Sequence, residues 1–139
     1  MPPPDPSQAY LKSRGCPPHV VAAGLAGLLD YWRDTVTAIR AGYNLTLDDY
    51  LNDMDTRQLI EETLPHTTTR AHKQALVRLY DLDEQLRPLL RPTKKCLWGP
   101  KAETEHGWTP ENNWWYFEVP KQPGPVLASD LAARGVKSS

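Results

Sequence analysis

A chain of 139 residues can fold as one domain without disulfides or a structural metal, since a chain this long buries roughly two thirds of the surface its unfolded form exposes. Its 16 basic and 17 acidic residues leave a formal net charge of −1, which excludes a protein held to nucleic acid or an anionic membrane by overall charge. The 14 prolines, about twice average usage, make much of the chain turn, tail or helix boundary.

The first predicted unit, residues 1–16, is a proline-rich lead with a short helix. Asp5 followed by Pro6 has the form of an N-cap and a first helical residue, and Gly15 stops the helix. Residues 17–92 read as a helical bundle. Val21, Leu25, Leu28, Trp32, Val36 and Ile39 recur at three and four residue spacings, the apolar face of one long helix ending near Gly42. Gly24 and Gly27 lie inside this helix, where they permit close packing. Thr46 opens the next helix with a capping box, and Leu47, Tyr50, Leu51 and Met54 share its face. Beyond Met54 the apolar phase slips, and Asp55 with Gln58 resembles a second box, so a kink or break is expected at residues 53–56. Thr68 or Thr69 caps a further helix with Ala75, Leu76, Leu79, Leu82, Leu86 and Leu89 on its apolar side. Residues 93–120 read as an aromatic hairpin: "KKCLW" and "WWYFEV" as two antiparallel strands, with the turn-rich "GPKAETEHGWTPENN" between them. A lone hairpin is marginal in water, so it must pack on the helices. The tail, residues 121–139, holds a short helix through "LASDLAAR". The expected fold class is mainly α: an antiparallel bundle of three principal helices, the second kinked, plus a short two-stranded β-hairpin, in a single domain.

Strict alternation along the second strand turns Trp115, Phe117 and Val119 one way and Trp114, Tyr116 and Glu118 the other. The wholly apolar first set belongs against the helices. The second, ending in a carboxylate, is the more accessible face, and with Trp98, Trp108, Lys94 and Lys95 it makes the candidate binding surface. Charge is segregated along the chain. Residues 30–62 carry eight acids against Arg33, Arg40 and Arg57, and residues 66–101 carry eight bases against Asp81, Asp83 and Glu84. Such segments either interleave as exposed pairs or present faces that steer partners of opposite sign.

Catalytic and metal templates fit poorly. His66 and His72 are six apart, too far for a zinc-protease helix, and Glu62 to His66 is one residue too long for a di-iron motif and is broken by Pro65. Convergence of His19, His66 and His72 from three helices is the one metal alternative. Cys96, next to Lys94 and Lys95 and within hairpin reach of His106, lacks a third, orienting group and reads as a buried, inert thiol. No cofactor is expected. The Lys and Trp mixture around Trp98 resembles a single-strand nucleic-acid binder, but the acids of residues 103–111 repel the same backbone. Cys16 and Cys96 read as reduced thiols, "MPPPDPSQAY" lacks the parts of a signal peptide, and no run approaches ~18 apolar residues. The expectation is a cytoplasmic protein that does not enter membranes.

The stretch "LDDYLNDMDTRQLIEETL", followed by "LDEQLR" and a double-tryptophan strand ending in "VP", resembles small actinobacterial proteins over roughly residues 30–119. That resemblance assigns no activity, cofactor or site residue to any position. The function expected from the residues is a non-enzymatic interaction protein, of the immunity or antitoxin-like kind or an accessory subunit, with a protein partner. The alternatives are a small-molecule or metal-dependent activity in a pocket between bundle and hairpin, lined by Trp98, Trp108, Trp114 and Tyr116 with His66, His72 or His106, and single-stranded nucleic-acid binding through the Lys/Trp segment.

Overall fold

The computed structural model describes residues 5–136, so the first four residues of the proline-rich lead and the last three of the tail lie outside it. Among the described residues the fold is mainly helical. Its helices are α1 (Pro6–Ser13), α2 (Pro18–Arg40), α3 (Leu47–Thr63), α4 (Thr69–Leu86), α5 (Pro100–His106) and α6 (Pro125–Ala133). Strands β1 (Leu90–Pro92) and β2 (Glu118–Pro120) pair antiparallel, with Arg91 opposite Val119. No helix among these residues is long and apolar enough to cross a membrane.

The caps form where the sequence puts them. Asp5 accepts from the Ser7 amide at 3.0 Å while Gln8 reaches back to the Asp5 amide, and Thr46 and Asp49 make the same reciprocal pair at the start of α3. The start of α3 has a further partner from far along the chain, since the Asp130 carboxylate on α6 accepts from the Leu47 amide at 2.9 Å. This satisfies an orphan donor and sets a negative charge at the helix N-terminus.

Helix α2 packs against α1, α3 and α4. Leu25, Leu28, Trp32, Val36 and Ile39 are buried as their spacing predicts, but Val21 is only half-buried because the helix is broken at Gly24. There φ is +64° and ψ −161°, a conformation that disfavours any side chain. The turn before the break is tied to α1, with the Ala22 carbonyl accepting from the Gln8 side-chain amide at 3.0 Å. At Gly27 a Cβ would lie 2.3 Å from that of Ala23, so the crowding it avoids is within α2, across the break, and not against a neighbouring element. A Cβ on Gly24 would meet Gln8 and Ser7 only at ordinary distances of 3.5 and 3.6 Å, so the penalty at that site is in the backbone. Gly24→Ala is therefore expected to lower stability by about 1–2 kcal/mol, read as a fall in the thermal midpoint. An unchanged midpoint would contradict the break.

The kink expected at residues 53–56 is absent: α3 is continuous. The apolar phase slips there because polar side chains occupy interior positions one turn apart. Asp53, nearly buried, accepts from the hydroxyls of Tyr31 at 2.6 Å and Tyr43 at 2.5 Å, which pushes the Tyr31 phenol up to about 12. Arg57 pairs with Asp83 of α4, Nη2 to Oδ2 at 2.9 Å, and Trp32 donates its Nε1–H to the same carboxylate at 3.0 Å.

The aromatic segment also departs from the expected hairpin. "KKCLW" is not a strand, and β1 lies earlier, at Leu90–Pro92. Trp114–Tyr116 forms a 3₁₀ turn before β2, so strict alternation fails and successive rings all turn inward. The residues following β1 still run beside it through single bonds, the Thr93 amide to the Phe117 carbonyl at 2.7 Å and the Leu97 amide to that of Tyr116 at 2.8 Å. The expected loop contains α5. Pro100 at its first position and Gly107 just past its end, in the left-handed conformation at φ +66°, are helix start and stop signals as well as turn residues. The short tail helix is present as α6, with Leu127 and Leu131 buried.

Candidate functional site

Asp55, Gln58, Leu59 and Glu62 recur on α3 at i, i+3, i+4 and i+7, so they share one helix face. They form one wall of a cleft of about 520 Å³. The rest is lined by Trp98, Ala102, His106, Trp108 and Tyr116, with Arg14 and Cys16 from the connection after α1. The helical turn of α5 puts Ala102 and His106 on one face, and the left-handed Gly107 reverses the chain so that Trp108 returns beside it. The rings of His106 and Trp108 stack at 4.4 Å and those of Trp108 and Tyr116 at 4.1 Å, a continuous aromatic column.

Two carboxylates are held within this lining. Asp55 Oδ1 accepts from Trp98 Nε1 at 3.0 Å and from the Tyr116 hydroxyl at 2.6 Å. Glu62 Oε1 accepts from Arg14 Nη1 at 2.6 Å, and the same nitrogen donates to the Tyr10 hydroxyl at 2.9 Å. Burial, and then the hydrogen bond to Asp55, hold the Tyr116 phenol far above the usual phenol range. Gln58 is anchored from across the fold, its Oε1 accepting from Asn113 Nδ2 at 3.0 Å. Chemically, the cleft offers aromatic surface and carboxylate lone pairs at fixed positions.

Of the candidates read from the sequence, Trp98, Trp108, Tyr116 and His106 come together here. Trp98 is the most accessible of the indoles, 39% exposed, and His106 is exposed beside it, whereas Tyr116 is 1% exposed and presents little beyond its edge. Trp114 does not join them. Expected on an open face, it is 8% exposed, with the Arg87 guanidinium 4.5 Å above its ring. Lys94 and Lys95 are exposed on the bend after β1, outside the cleft lining. The three histidines of the metal alternative have other engagements: His66 stacks on Tyr10 at 4.0 Å, His72 Nδ1 bonds the Leu64 carbonyl at 2.8 Å, and His19 is exposed in the first turn of α2. Among the described residues no group of three or more His, Cys, Asp or Glu side chains is placed to hold a metal. Cys96 is buried, and its thiol is pushed up by that burial.

Sequence reading missed Asp55, Gln58, Glu62 and Arg14. The signal was there as a polar stripe at helical spacing, but Asp55 and Gln58 fit a capping template equally well. Comparison with protein-family models, with curated proteins and with solved structures finds no match.

Proposed function

We propose that this is a non-enzymatic interaction protein, an immunity or antitoxin-like factor or an accessory subunit, that recognises its partner by taking one group of it into the cleft beside α3. The three long helices act in this reading as an antiparallel bundle, the frame that holds the site. The observation that carries it is the state of the cleft's polar groups: Asp55 is fixed by Trp98 and Tyr116, and Glu62 by Arg14. Groups pinned by neighbouring side chains are pre-organised for recognition, which lowers the ordering cost of binding. The charge pattern adds to this. Arg57, a minority base of the acidic segment, and Asp83, a minority acid of the basic one, pair inside the protein. Each segment thereby keeps a more uniform sign on its surface, apart from the exposed pair of Asp30 with Arg78 that joins the two, and this favours steering of an oppositely charged partner.

Capture from native cell extract on immobilised protein tests the reading. Wild type is expected to retain a stoichiometric partner that Trp98→Ala loses. Equal retention by both would remove the cleft from recognition, and no stoichiometric partner over a range of salt would end the interaction reading. A second reading puts a free small molecule in the same space, favoured by a volume of about 520 Å³, within the range of small-ligand pockets.

A further inference from the structure

The cleft's chemistry narrows what it accepts. Each carboxylate there uses one oxygen, Asp55 Oδ1 and Glu62 Oε1, for bonds within the protein. Their second oxygens, Asp55 Oδ2 and Glu62 Oε2, make no hydrogen bond among the described residues, so both remain as acceptors. Asp55 and Glu62 stand about two helical turns apart on one face of α3, and both residues line the same space. The indole of Trp98 is pinned by its Nε1–H to Asp55, it stacks on no other ring among the described residues, and it is 39% exposed. Taking Asp55, Glu62 and Arg14 as ionised and His106 as neutral, the formal charge of the lining is −1. An open indole face attracts a cation, and an ionised carboxylate accepts most strongly from a cationic N–H donor. Arg14 already shows the complementarity, since it is a guanidinium seated on Glu62 at the edge of the cleft.

We infer that the cleft binds an N–H-bearing organic cation of the guanidinium or primary ammonium type, stacked on Trp98 and donating to Asp55, with the charge of Glu62 adding to the attraction from the same wall. The inference rests on the cleft's being the recognition site, and it adds the class of group that enters. Guanidinium fits best, because its planar fork both stacks on an indole and donates from several nitrogens at once. Arg14 then acts as an internal competitor for Glu62, and its removal strengthens binding.

The test uses the full chain and two probes of nearly equal shape, n-butylguanidinium and the uncharged n-butylurea, followed by calorimetry and by the change in tryptophan fluorescence that Trp98→Ala abolishes. Wild type is expected to bind n-butylguanidinium at least about tenfold more tightly than n-butylurea. Asp55→Asn keeps an acceptor for Trp98 and Tyr116 but loses the charge, and Glu62→Gln alters a partly exposed side chain. Each is expected to weaken n-butylguanidinium about tenfold while the protein still melts cooperatively, and Arg14→Ala to tighten it. Equal or tighter binding of n-butylurea, or indifference of n-butylguanidinium to both carboxylate variants, would overturn the inference. If neither probe binds while partner capture still depends on Trp98, the cation is wrong and the cleft stands. If capture does not depend on Trp98, the cleft reading itself falls. A third probe, N-acetyl-arginine N-methylamide, separates the sources: tighter binding than n-butylguanidinium indicates an arginine of a protein partner, and weaker binding a free small cation.

Discussion

Replacing Asp83 by alanine is expected to destabilise the protein by about 3–5 kcal/mol, among the largest effects of any single change in the chain. The Asp83 carboxylate is 12% exposed and the Arg57 side chain 5% exposed. Without Asp83 the guanidinium loses its 2.9 Å partner and Trp32 Nε1 loses its acceptor at 3.0 Å, both inside the core. What remains for Arg57 is Glu61 at 3.1 Å, itself largely solvated, and the Trp115 ring 4.4 Å away. A buried charge without its counter-ion costs far more than the intact pair contributes. Replacing both partners, Arg57→Leu with Asp83→Leu, should accordingly cost less than Asp83→Ala alone. Denaturant melts check this through the midpoint at constant slope. A loss under ~1 kcal/mol for Asp83→Ala would show that Arg57 finds water or another acceptor, and that the pair does not close the junction of α2, α3 and α4.

Trp115→Ala is the second large effect, with an expected loss of about 3–5 kcal/mol. Trp115 is 1% exposed and packs against the Arg57 guanidinium at 4.4 Å and the neighbouring ring of Trp114, whose centroid is 5.5 Å away. Trp114→Ala should also act on stability, because that ring is packed against the guanidiniums of Arg87 and Arg57 at 4.5 and 5.8 Å. This reverses the expectation from strand alternation, under which Trp114 would mainly serve binding. Trp98→Ala is the contrast, expected to shift stability by less than about 1 kcal/mol since the ring is partly solvated. Thermal midpoints of the three variants decide the point. A Trp114→Ala protein that melts with wild type would return that ring to the surface.

Local signals on adjacent residues determined a good deal. The capping groups Asp5, Thr46 and Thr68, the apolar spacing of Leu25 through Ile39 and of Ala75 through Leu86, and the short helix in the tail all stand in the fold as read. Each depends on partners within about one turn of helix, so the chain carries the information locally. Four features were decided only by tertiary structure. The slip in phase after Met54 marks no kink, because Asp53 and Arg57 find partners from other elements, Tyr31 and Tyr43 for one and Asp83 for the other. The break at Gly24 is accommodated by Gln8 of α1. The double tryptophan is turn rather than strand, because the guanidiniums of Arg57 and Arg87 lie over its rings while Thr93 and Leu97 bond the carbonyls of Phe117 and Tyr116 just after it. Finally, the cleft joins Arg14, Asp55, Glu62, Trp98 and Trp108, residues up to 94 positions apart. Burial of a charge and assembly of a cleft depend on which distant group arrives to meet a side chain, and periodicity along one segment carries no trace of that arrival.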